Sequence, residues 1–286
     1  MIQQTKVEGV VVLFHPEGPV VDNIRSYAGE LNRLYVVDNS PHPDEAIVAS
    51  LRDFPNCKYL HNGSNDGIAA ALNAAARFAL DNRAAWLLTM DQDSRFETGA
   101  FIKLLDFTLR QDPVATGLVS PFHHTKISVE PVAEVDEVLT IMTSGNLVSL
   151  YAWERTGGYD ERYFIDAVDW DYCLRLNTGK FKVLRYNRAH LQHNLGNASP
   201  HTSVTGKQVT ALNYNKTRRY YITRNKLIII SRYLRRYPKF CYAVFKSLFR
   251  DLRHVLFYEN MKAGKLQYML KGLLHYLWGR TGRLKA

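Results

Sequence analysis

The first 125 residues alternate short apolar runs with segments of helical periodicity, and this order constrains the fold more strongly than any other feature. It is typical of α/β chains wound into a mainly parallel sheet with flanking helices. Several runs are uniformly apolar, as expected of strands covered on both faces. The predicted strands are Val7–Phe14, Leu34–Val37, Cys57–His61, Trp86–Met90 and Ala115–Ser120, and the predicted helices are Val20–Asn32, Asp44–Asp53, Asn65–Leu80 and Thr98–Gln111.

After Pro121 the pattern is less regular but remains α/β. The pair Gly157-Gly158 is predicted to separate two helices, Tyr151–Thr156 and Val168–Thr178. Extended segments are predicted at Val135–Met142, Gly145–Leu150 and Lys182–Tyr186. We expect one α/β domain over residues 1–211, with halves of about 1–125 and about 126–211.

The charges divide the chain into two parts. From Leu212 onward there are 18 Lys and Arg residues against two acidic ones, whereas the first 211 residues hold 19 basic and 25 acidic residues. Apolar residues recur in 212–286 at spacings of three and four, which predicts basic amphipathic helices separated near Pro238 and Gly264. One predicted stripe comprises Tyr242, Phe245, Leu248, Phe249, Leu252, Val255 and Leu256, with Lys246, Arg250 and Arg253 opposite; the next comprises Leu266, Met269, Leu270, Leu273, Leu274, Leu277 and Trp278.

Composition excludes several classes of protein. The segment Met1–Val10 lacks the basic and apolar regions of a signal peptide, which predicts a cytoplasmic protein. Cys57, Cys173 and Cys241 are widely spaced and favour neither a disulfide framework nor a cysteine zinc site. No apolar run approaches the roughly 18 residues that a membrane-spanning helix needs.

Polar residues follow four of the predicted strands. Ligands of wound sheets bind outside the carboxyl ends of the strands, so these residues are the candidates for a binding site. They are His15-Pro16, Asp38-Asn39, the stretch 62–67, and Asp91-Gln92-Asp93. Phe14 and His15, at the end of the first strand, are candidates for the border of a base pocket.

Asp91 and Asp93 are candidates for a metal site. Two carboxylates two residues apart at a strand end can hold a divalent cation, which keeps positions open for phosphate oxygens. The alternative is a solvated loop or a helix cap.

Asp38 can accept hydrogen bonds from the base or ribose of a nucleotide, or it can cap a turn. Asn65 and Gly67 open an alanine-rich helix that carries Asn73 further along. Its small residues allow either close approach of a ligand or tight packing on the sheet, and the sequence leaves both readings open.

Taken together, these motifs resemble those of family 2 glycosyltransferases of the GT-A fold. The segments that carry the resemblance are Val36–Ser40, Asn65–Gly67 with Asn73, Asp91–Asp93, and Gly157–Glu161 followed by Phe164–Asp166 and Val168–Arg175. The last block resembles the rhamnosyltransferase-like branch of that family. The resemblance extends over about Val7 to Gly196.

The resemblance implies a nucleotide-binding half at 1–125, an acceptor half at 126–211, and a nucleotide-sugar donor. It implies that Asp38 and Asn65 contact the nucleoside and that Asp91 contacts the ribose or the metal. It also implies that Asp93 binds a Mg²⁺ or Mn²⁺ ion bridging the diphosphate, with His193 as a further ligand.

The resemblance makes Asp169 the general base. Relatives often have Glu-Asp where this chain has Val168-Asp169, so Asp166 and Asp171 remain alternatives. Asp169 lies at the first turn of a predicted helix, where the helix dipole favours the ionised form, but it can equally be an N-cap. Asp171 is four residues from Arg175 and can pair with it.

Arg224 follows a polar stretch, Asn197–Asn215, that is expected to be a mobile loop closing over the diphosphate. A guanidinium pairs with phosphate in a bidentate way, which makes Arg224 a candidate ligand. The alternative is that Arg224 belongs to a basic helix face.

The function expected from the resemblance is an inverting, single-displacement transfer, with dTDP-rhamnose as donor and a saccharide or lipid-linked surface glycan as acceptor. The basic region fits an anionic membrane surface at the inner face, or a homo-oligomer interface; acidic strand ends argue against nucleic acid as the main partner. The rival enzymes are a nucleotidyltransferase and a DxD-type metal-dependent phosphatase, but neither a Gly-rich phosphate loop nor an Asp nucleophile follows the first strand. The non-catalytic rival is a basic scaffold that binds nucleic acid or membrane.

Overall fold

A computed structural model describes residues 5–124, 131–193, 199–202, 208–211 and 213–285. The side chains of residues 193, 199–202 and 208–211 lie outside this description. The chain forms two compact units, one comprising Met1–Glu161 and Val168–Asn194 and the other comprising Arg162–Ala167 and Leu195–Ala286. The predicted division into a domain over 1–211 and a basic helical region over 212–286 stays a prediction.

The first unit is built on a mixed sheet, which confirms the predicted α/β class. Its strand order is β3-β2-β1-β4-β8-β6-β9-β5, with β7 also paired to β9. The pairs β1-β2, β2-β3, β1-β4 and β6-β9 are parallel, and the others are antiparallel. The strands are β1 Val7–Leu13, β2 Arg33–Asp38, β3 Cys57–His61, β4 Trp86–Asp91, β5 Ser94–Phe96, β6 Thr116–His124, β7 Val135–Glu137, β8 Asn146–Ser149 and β9 Lys182–His193.

Strand β1 lies at the centre of the nucleotide-side half because its residues are apolar on both faces. Val10 and Val11 are fully buried. Glu8 is also buried, and its carboxylate accepts hydrogen bonds from the Tyr35 hydroxyl at 2.8 Å and from the Asn82 amide. A buried carboxylate is tolerated when such donors replace its water.

The α-helices in the described residues of this unit are α1 Val20–Arg25, α2 Glu45–Ser50, α3 Ile68–Asp81, α4 Ala100–Leu109, α5 Leu150–Thr156 and α6 Val168–Thr178. The helix predicted at Val20–Asn32 stops at Arg25 and is followed by a 3-10 turn, Ala28–Glu30, that contains Gly29. Helix α3 buries its alanines, among them Ala69, Ala75 and Ala76, so their small size lets the helix pack closely.

The described part of the second unit contains three long helices and a strand pair. The helices are α7 Lys216–Tyr233, α8 Pro238–Tyr258 and α9 Lys262–Leu277, and β10 Ser199–Thr202 pairs antiparallel with β11 Gln208–Ala211. The stretch Asn197–Asn215, expected to be a loop, therefore contains two strands in its described part. Residues 194–198, 203–207 and 212 lie outside the described residues.

The helix boundaries of the second unit agree with one predicted break and correct the other. Pro238 begins α8, where its missing N–H costs nothing. Gly264 lies inside α9, so the predicted break there is wrong. The chain turns instead at Glu259–Met261, where the buried Glu259 carboxylate accepts hydrogen bonds from Arg219 and Lys265.

Candidate functional site

The carboxyl ends of β1, β2 and β4 form the candidate ligand edge of the sheet. Strand β1 pairs with both neighbours, placing Asp38 level with Leu13 and Asp91 level with Val12. Strands are about 4.8 Å apart, so the backbones of the two acidic residues lie roughly 10 Å apart across one intervening strand.

Asp38 is held rigidly at this edge. It is 2% exposed, and one carboxylate oxygen accepts the Ser40 backbone N–H at 2.8 Å. The other oxygen accepts the Tyr59 hydroxyl at 2.7 Å. Burial, and next the hydrogen bond to Asp38, raise the pKa of Tyr59 above its usual range, so the phenol stays a donor at neutral pH. Tyr59 was not predicted as part of the site.

The loop after β1 links the two acidic motifs. The Phe14 backbone N–H donates to the Gln92 side-chain oxygen, and the His15 N–H donates to the Ser40 hydroxyl, each at 2.8 Å. Phe14 is 45% exposed, and the His15 backbone is left-handed with φ of 44°. The structure thus brings Phe14 and His15 between Asp38 and Asp91, as their place after β1 predicts.

Helix α3 begins beside the end of β2. Gly67, its N-cap, has φ of 88° and ψ of 165°, a backbone region that essentially only glycine adopts. The Asn65 side-chain oxygen accepts the Gly67 N–H at 3.0 Å, and the Asn39 amide donates to the Gly67 carbonyl at 3.2 Å. These bonds place Asn65 and Gly67 next to the edge that carries Asp38.

Asp91 and Asp93 follow β4 at the same edge. Asp91 is half-buried and its N–H donates to the Ser144 hydroxyl at 3.1 Å, while Asp93 is exposed. Strand β5 then runs antiparallel to β9, with Ser94 directly opposite His193. Directly opposed residues have Cα atoms about 5 Å apart. The backbone of His193 therefore lies across from Ser94, the residue that follows Asp93.

A second group of possible metal ligands lies at β6, at β9 and just after β5. Glu97, His124 and His190 place one ligand atom each within 4.8 Å of one another. Both imidazole Nδ1 atoms are 3.6 Å from Glu97 carboxylate oxygens. No local sequence pattern indicates this group, because its members come from three separate strands or strand ends.

The three carboxylates considered as the general base have different surroundings. Asp171 is fully buried, and its carboxylate accepts the Arg175 Nε–H at 2.7 Å. Asp166 pairs with Arg218 at 3.2 Å. Asp169 is half-buried in the first turn of α6, where its carboxylate accepts the Trp170 backbone N–H at 2.9 Å.

Asn73 is engaged in packing contacts. It is 4% exposed, and its side-chain oxygen accepts the Tyr159 N–H at 2.8 Å and the Trp153 indole N–H at 3.2 Å. Its amide donates to the Tyr159 carbonyl and to Glu161, both at 2.8 Å. Asn73 therefore ties α3 to the turn 157–161, which is the packing alternative raised for this helix.

Arg224 lies buried inside the second unit. It is fully buried, and its guanidinium donates to the carbonyls of Arg162, Tyr163 and Gly282. It also donates to the Tyr220 hydroxyl and the Asn225 side-chain oxygen. With all three nitrogens bonded, the side chain has no donor turned outward for a phosphate, which argues against a contact of Arg224 with the donor.

One hollow of the structure lies away from the ligand edge. It encloses about 630 Å³ and is lined by Asn32, Arg33, Pro55, Asn56, Cys57 and Lys58, at the amino ends of β2 and β3. This is the opposite edge of the sheet from Asp38, and it offers none of the carboxylates that would hold a metal.

The comparison with protein families decides the assignment. The sequence model of glycosyl transferase family 2 matches residues 18–133, the span that carries the ligand edge from α1 to Asp93. Residues 18–133 thus carry a family 2 glycosyltransferase domain. The chain is 25% identical over 296 residues to the dTDP-rhamnosyl transferase RfbF of Shigella flexneri, and the alignment covers 97% of this chain and 96% of that protein.

Solved structures support the GT-A fold. TarS 1–349 of S. aureus is similar with a TM-score of 0.53 at 13% identity, over 96% of this chain and 73% of that one. The structure of GalNAc-T7 with UDP, GalNAc and Mn²⁺ gives 0.53 at 12% identity over 66% of this chain, which spans 44% of that longer chain. In the described part of this glycosyltransferase, no helix is long and apolar enough to span a membrane.

Proposed function

We propose that this glycosyltransferase moves rhamnose from dTDP-rhamnose to a saccharide or lipid-linked glycan acceptor by a metal-dependent, inverting displacement. The observation that carries the proposal is the clustering of Asp38, Asp91 and Asp93 at one edge of the sheet, with His193 paired beside Asp93. The relative named as a dTDP-rhamnosyl transferase supports the choice of donor, because it aligns along nearly the whole chain.

The nucleoside of the donor is assigned to Phe14, His15, Asp38, Asn65 and Gly67, which lie at or next to the ligand edge. Asp38 is kept in place by Ser40 and Tyr59, so its carboxylate is positioned before the nucleotide arrives. Preorganised acceptors bind a ligand with less ordering cost. Asp91 is assigned to the ribose or to the metal.

Asp93, Asp91 and His193 are assigned to a Mg²⁺ or Mn²⁺ ion. Carboxylate oxygens and imidazole suit these cations, and a site with few protein ligands leaves positions for diphosphate oxygens. The Mn²⁺ named with GalNAc-T7 supports divalent metal use in this fold. A cation bound there would offset the negative charge that grows on the departing nucleoside diphosphate.

Asp169 is assigned the role of general base. Its carboxylate accepts the proton of the attacking acceptor hydroxyl while that oxygen forms the new bond to the anomeric carbon. The bond from the anomeric carbon to the diphosphate oxygen breaks on the opposite side, so the configuration inverts. The choice of Asp169 follows the family resemblance. Asp171 and Asp166 are ion-paired with Arg175 and Arg218.

The place of action is proposed to be the cytoplasm, at the inner face of the membrane where a lipid-linked acceptor is available. The basic character of the C-terminal unit supports this placement. A homo-oligomer stays a prediction.

The direct test is a panel of nucleotide sugars with and without Mn²⁺ or Mg²⁺. We expect dTDP-rhamnose with metal to give the largest increase in melting temperature, together with slow release of dTDP, because a ligand that binds the native state stabilises it. A larger increase in melting temperature with UDP-GlcNAc would contradict the assignment of dTDP-rhamnose as donor. Equal dTDP affinity in the chelator and in Mn²⁺ would contradict the proposed metal dependence.

A further inference from the structure

Helix α8 exposes much of the apolar stripe that its sequence predicts. Tyr242, Phe245, Phe249, Leu252 and Leu256 are 61%, 45%, 59%, 38% and 40% exposed. Their spacing of three, four, three and four places them on one side of the helix, along about 21 Å of its length. Outward helix faces normally carry polar residues, so such a row of large apolar side chains marks a contact surface.

The inner face of α8 is already occupied. It buries Cys241, Val244, Ser247 and Val255. Asp251, half-buried, pairs with Lys226 of α7. The exposed row is therefore not the packing face of the helix, because that face lies on the other side.

A row of exposed cations borders the apolar row. Lys239, Lys246, Arg250 and Arg253 project at helix angles next to the apolar positions, whereas the sequence pattern suggested the opposite side for the last three. An apolar stripe beside a basic stripe is the pattern of a helix that lies in the plane of a membrane surface. The cations are then placed to meet lipid phosphates.

The charge of the whole unit favours the same partner. The two acidic residues of 212–286 are Asp251 and Glu259. Asp251 pairs with Lys226, and Glu259 is buried against Arg219 and Lys265. A second copy of this face would thus bring cations against cations, whereas an anionic lipid surface complements both stripes.

We propose that the outer face of α8, formed by Tyr242, Phe245, Phe249, Leu252 and Leu256 with Lys246, Arg250 and Arg253, binds an anionic lipid bilayer surface. The apolar side chains enter the boundary between headgroups and acyl chains, and the cations contact the phosphates. Its purpose rests on the proposed function, because a lipid-linked acceptor is met at that surface. Lipid binding itself requires no catalysis.

The test measures binding of the full chain to vesicles of ~30 mol% phosphatidylglycerol in phosphatidylcholine, compared with pure phosphatidylcholine. The apolar variant is Phe245→Ser with Phe249→Ser, and the charge variant is Lys246→Glu with Arg250→Glu. Helix α4 and its C-cap supply control variants with the same number of substitutions, because Ile102, Lys103, Leu109 and Arg110 are likewise exposed. The controls are Ile102→Ser with Leu109→Ser, and Lys103→Glu with Arg110→Glu.

We expect the wild type to float with the anionic vesicles and not with pure phosphatidylcholine. Each α8 variant should weaken binding at least about tenfold, and the α4 controls should leave it unchanged. The α8 variants should have the same melting temperature and dTDP affinity as the wild type, measured on the same preparations. If the wild type did not bind dTDP, that result would count against the proposed function and not against the proposed lipid-binding surface.

Three outcomes would overturn the proposal that this face binds a lipid surface. The wild type could fail to bind anionic vesicles, or the α8 variants could bind as well as the wild type. Sedimentation could instead show a wild-type dimer that the Phe245→Ser, Phe249→Ser variant dissociates, which would assign the face to a second copy.

Discussion

Asp93 lies one residue before Ser94, and Ser94 is directly opposite His193 in the antiparallel pair of β5 and β9. This register brings together two residues that are 100 positions apart in the chain. It depends on β5, a strand of three residues that begins directly after Asp93 and pairs with β9. The proposed metal site therefore rests on a specific strand pairing rather than on the acidic motif alone.

The first prediction concerns the metal. Asp93→Asn should lower Mn²⁺-dependent dTDP affinity at least about tenfold, because one charged ligand is lost. Glu97→Gln is the matched control: it removes the same charge four residues downstream, in the group with His124 and His190. Titration calorimetry with dTDP, in Mn²⁺ and in chelator, measures both. If Glu97→Gln abolishes the Mn²⁺ effect and Asp93→Asn does not, the cation binds in that other group.

Much of the nucleotide-side half could be predicted from local sequence. Strands β1, β2, β3 and β4 are apolar runs bounded by polar turns, and their carboxyl ends bring Asp38 and Asp91 to one edge, as the pattern predicts. Periodicity is a strong signal where both faces of a strand are covered.

The rest depends on contacts between distant parts of the chain. Strand β5 has three residues and no apolar pattern, and β9 continues past Tyr186 through the polar Asn187 and Arg188. Tyr59 and Ser144 contact the acidic motifs through pairing that no local pattern encodes. The α8 stripe shows the same limit: spacing identified an apolar face but not what covers it.

A second prediction tests the base. Asp169→Asn should lower turnover by about 10²- to 10⁴-fold while dTDP affinity in Mn²⁺ stays near the wild-type value, because the amide keeps the shape but accepts no proton. Steady-state transfer and calorimetry separate the two effects.

The comparison variant is Asp171→Asn, which should act through stability. It leaves the Arg175 guanidinium without its buried carboxylate, and breaking such a pair costs about 3 kcal/mol. Asp166→Asn, which loosens an ion pair with Arg218, should keep most of the turnover. Normal turnover in Asp169→Asn together with its loss in Asp166→Asn would move the base to Asp166.

A third prediction concerns the support of Asp38. Tyr59→Phe should lower the free energy of unfolding by about 1.5 kcal/mol and weaken dTDP binding, because the buried carboxylate loses a hydroxyl donor. Tyr27→Phe is the control, since the Tyr27 hydroxyl is buried without a hydrogen-bond partner among the described residues. That variant should be neutral or slightly stabilising. Equal effects of the two substitutions in urea unfolding would argue against a specific role of Tyr59.

The last prediction distinguishes two roles of Arg224. The segment it holds contains three non-glycine residues in the left-handed region, Phe164, Asp166 and Ala167, with φ of 65°, 61° and 65°. Such backbone costs about 1 to 3 kcal/mol per residue, so surrounding bonds must hold it in place. Arg224 bonds the carbonyls of Arg162 and Tyr163, and the Asn225 amide bonds those of Tyr163, Ile165 and Asp166.

Arg224→Lys keeps the charge but lacks the planar fork that reaches several carbonyls at once. We expect it to lower the free energy of unfolding by about 3 kcal/mol and to speed hydrogen exchange in residues 162–167, with dTDP affinity unchanged. Arg232→Lys, an exposed position on the same helix, should leave all three quantities unchanged. A diphosphate contact makes the opposite prediction: dTDP affinity would fall about tenfold or more in Arg224→Lys, while stability and exchange in 162–167 stayed at wild-type values. The two patterns do not overlap, so one substitution decides whether this buried guanidinium supports the strained segment or binds the donor.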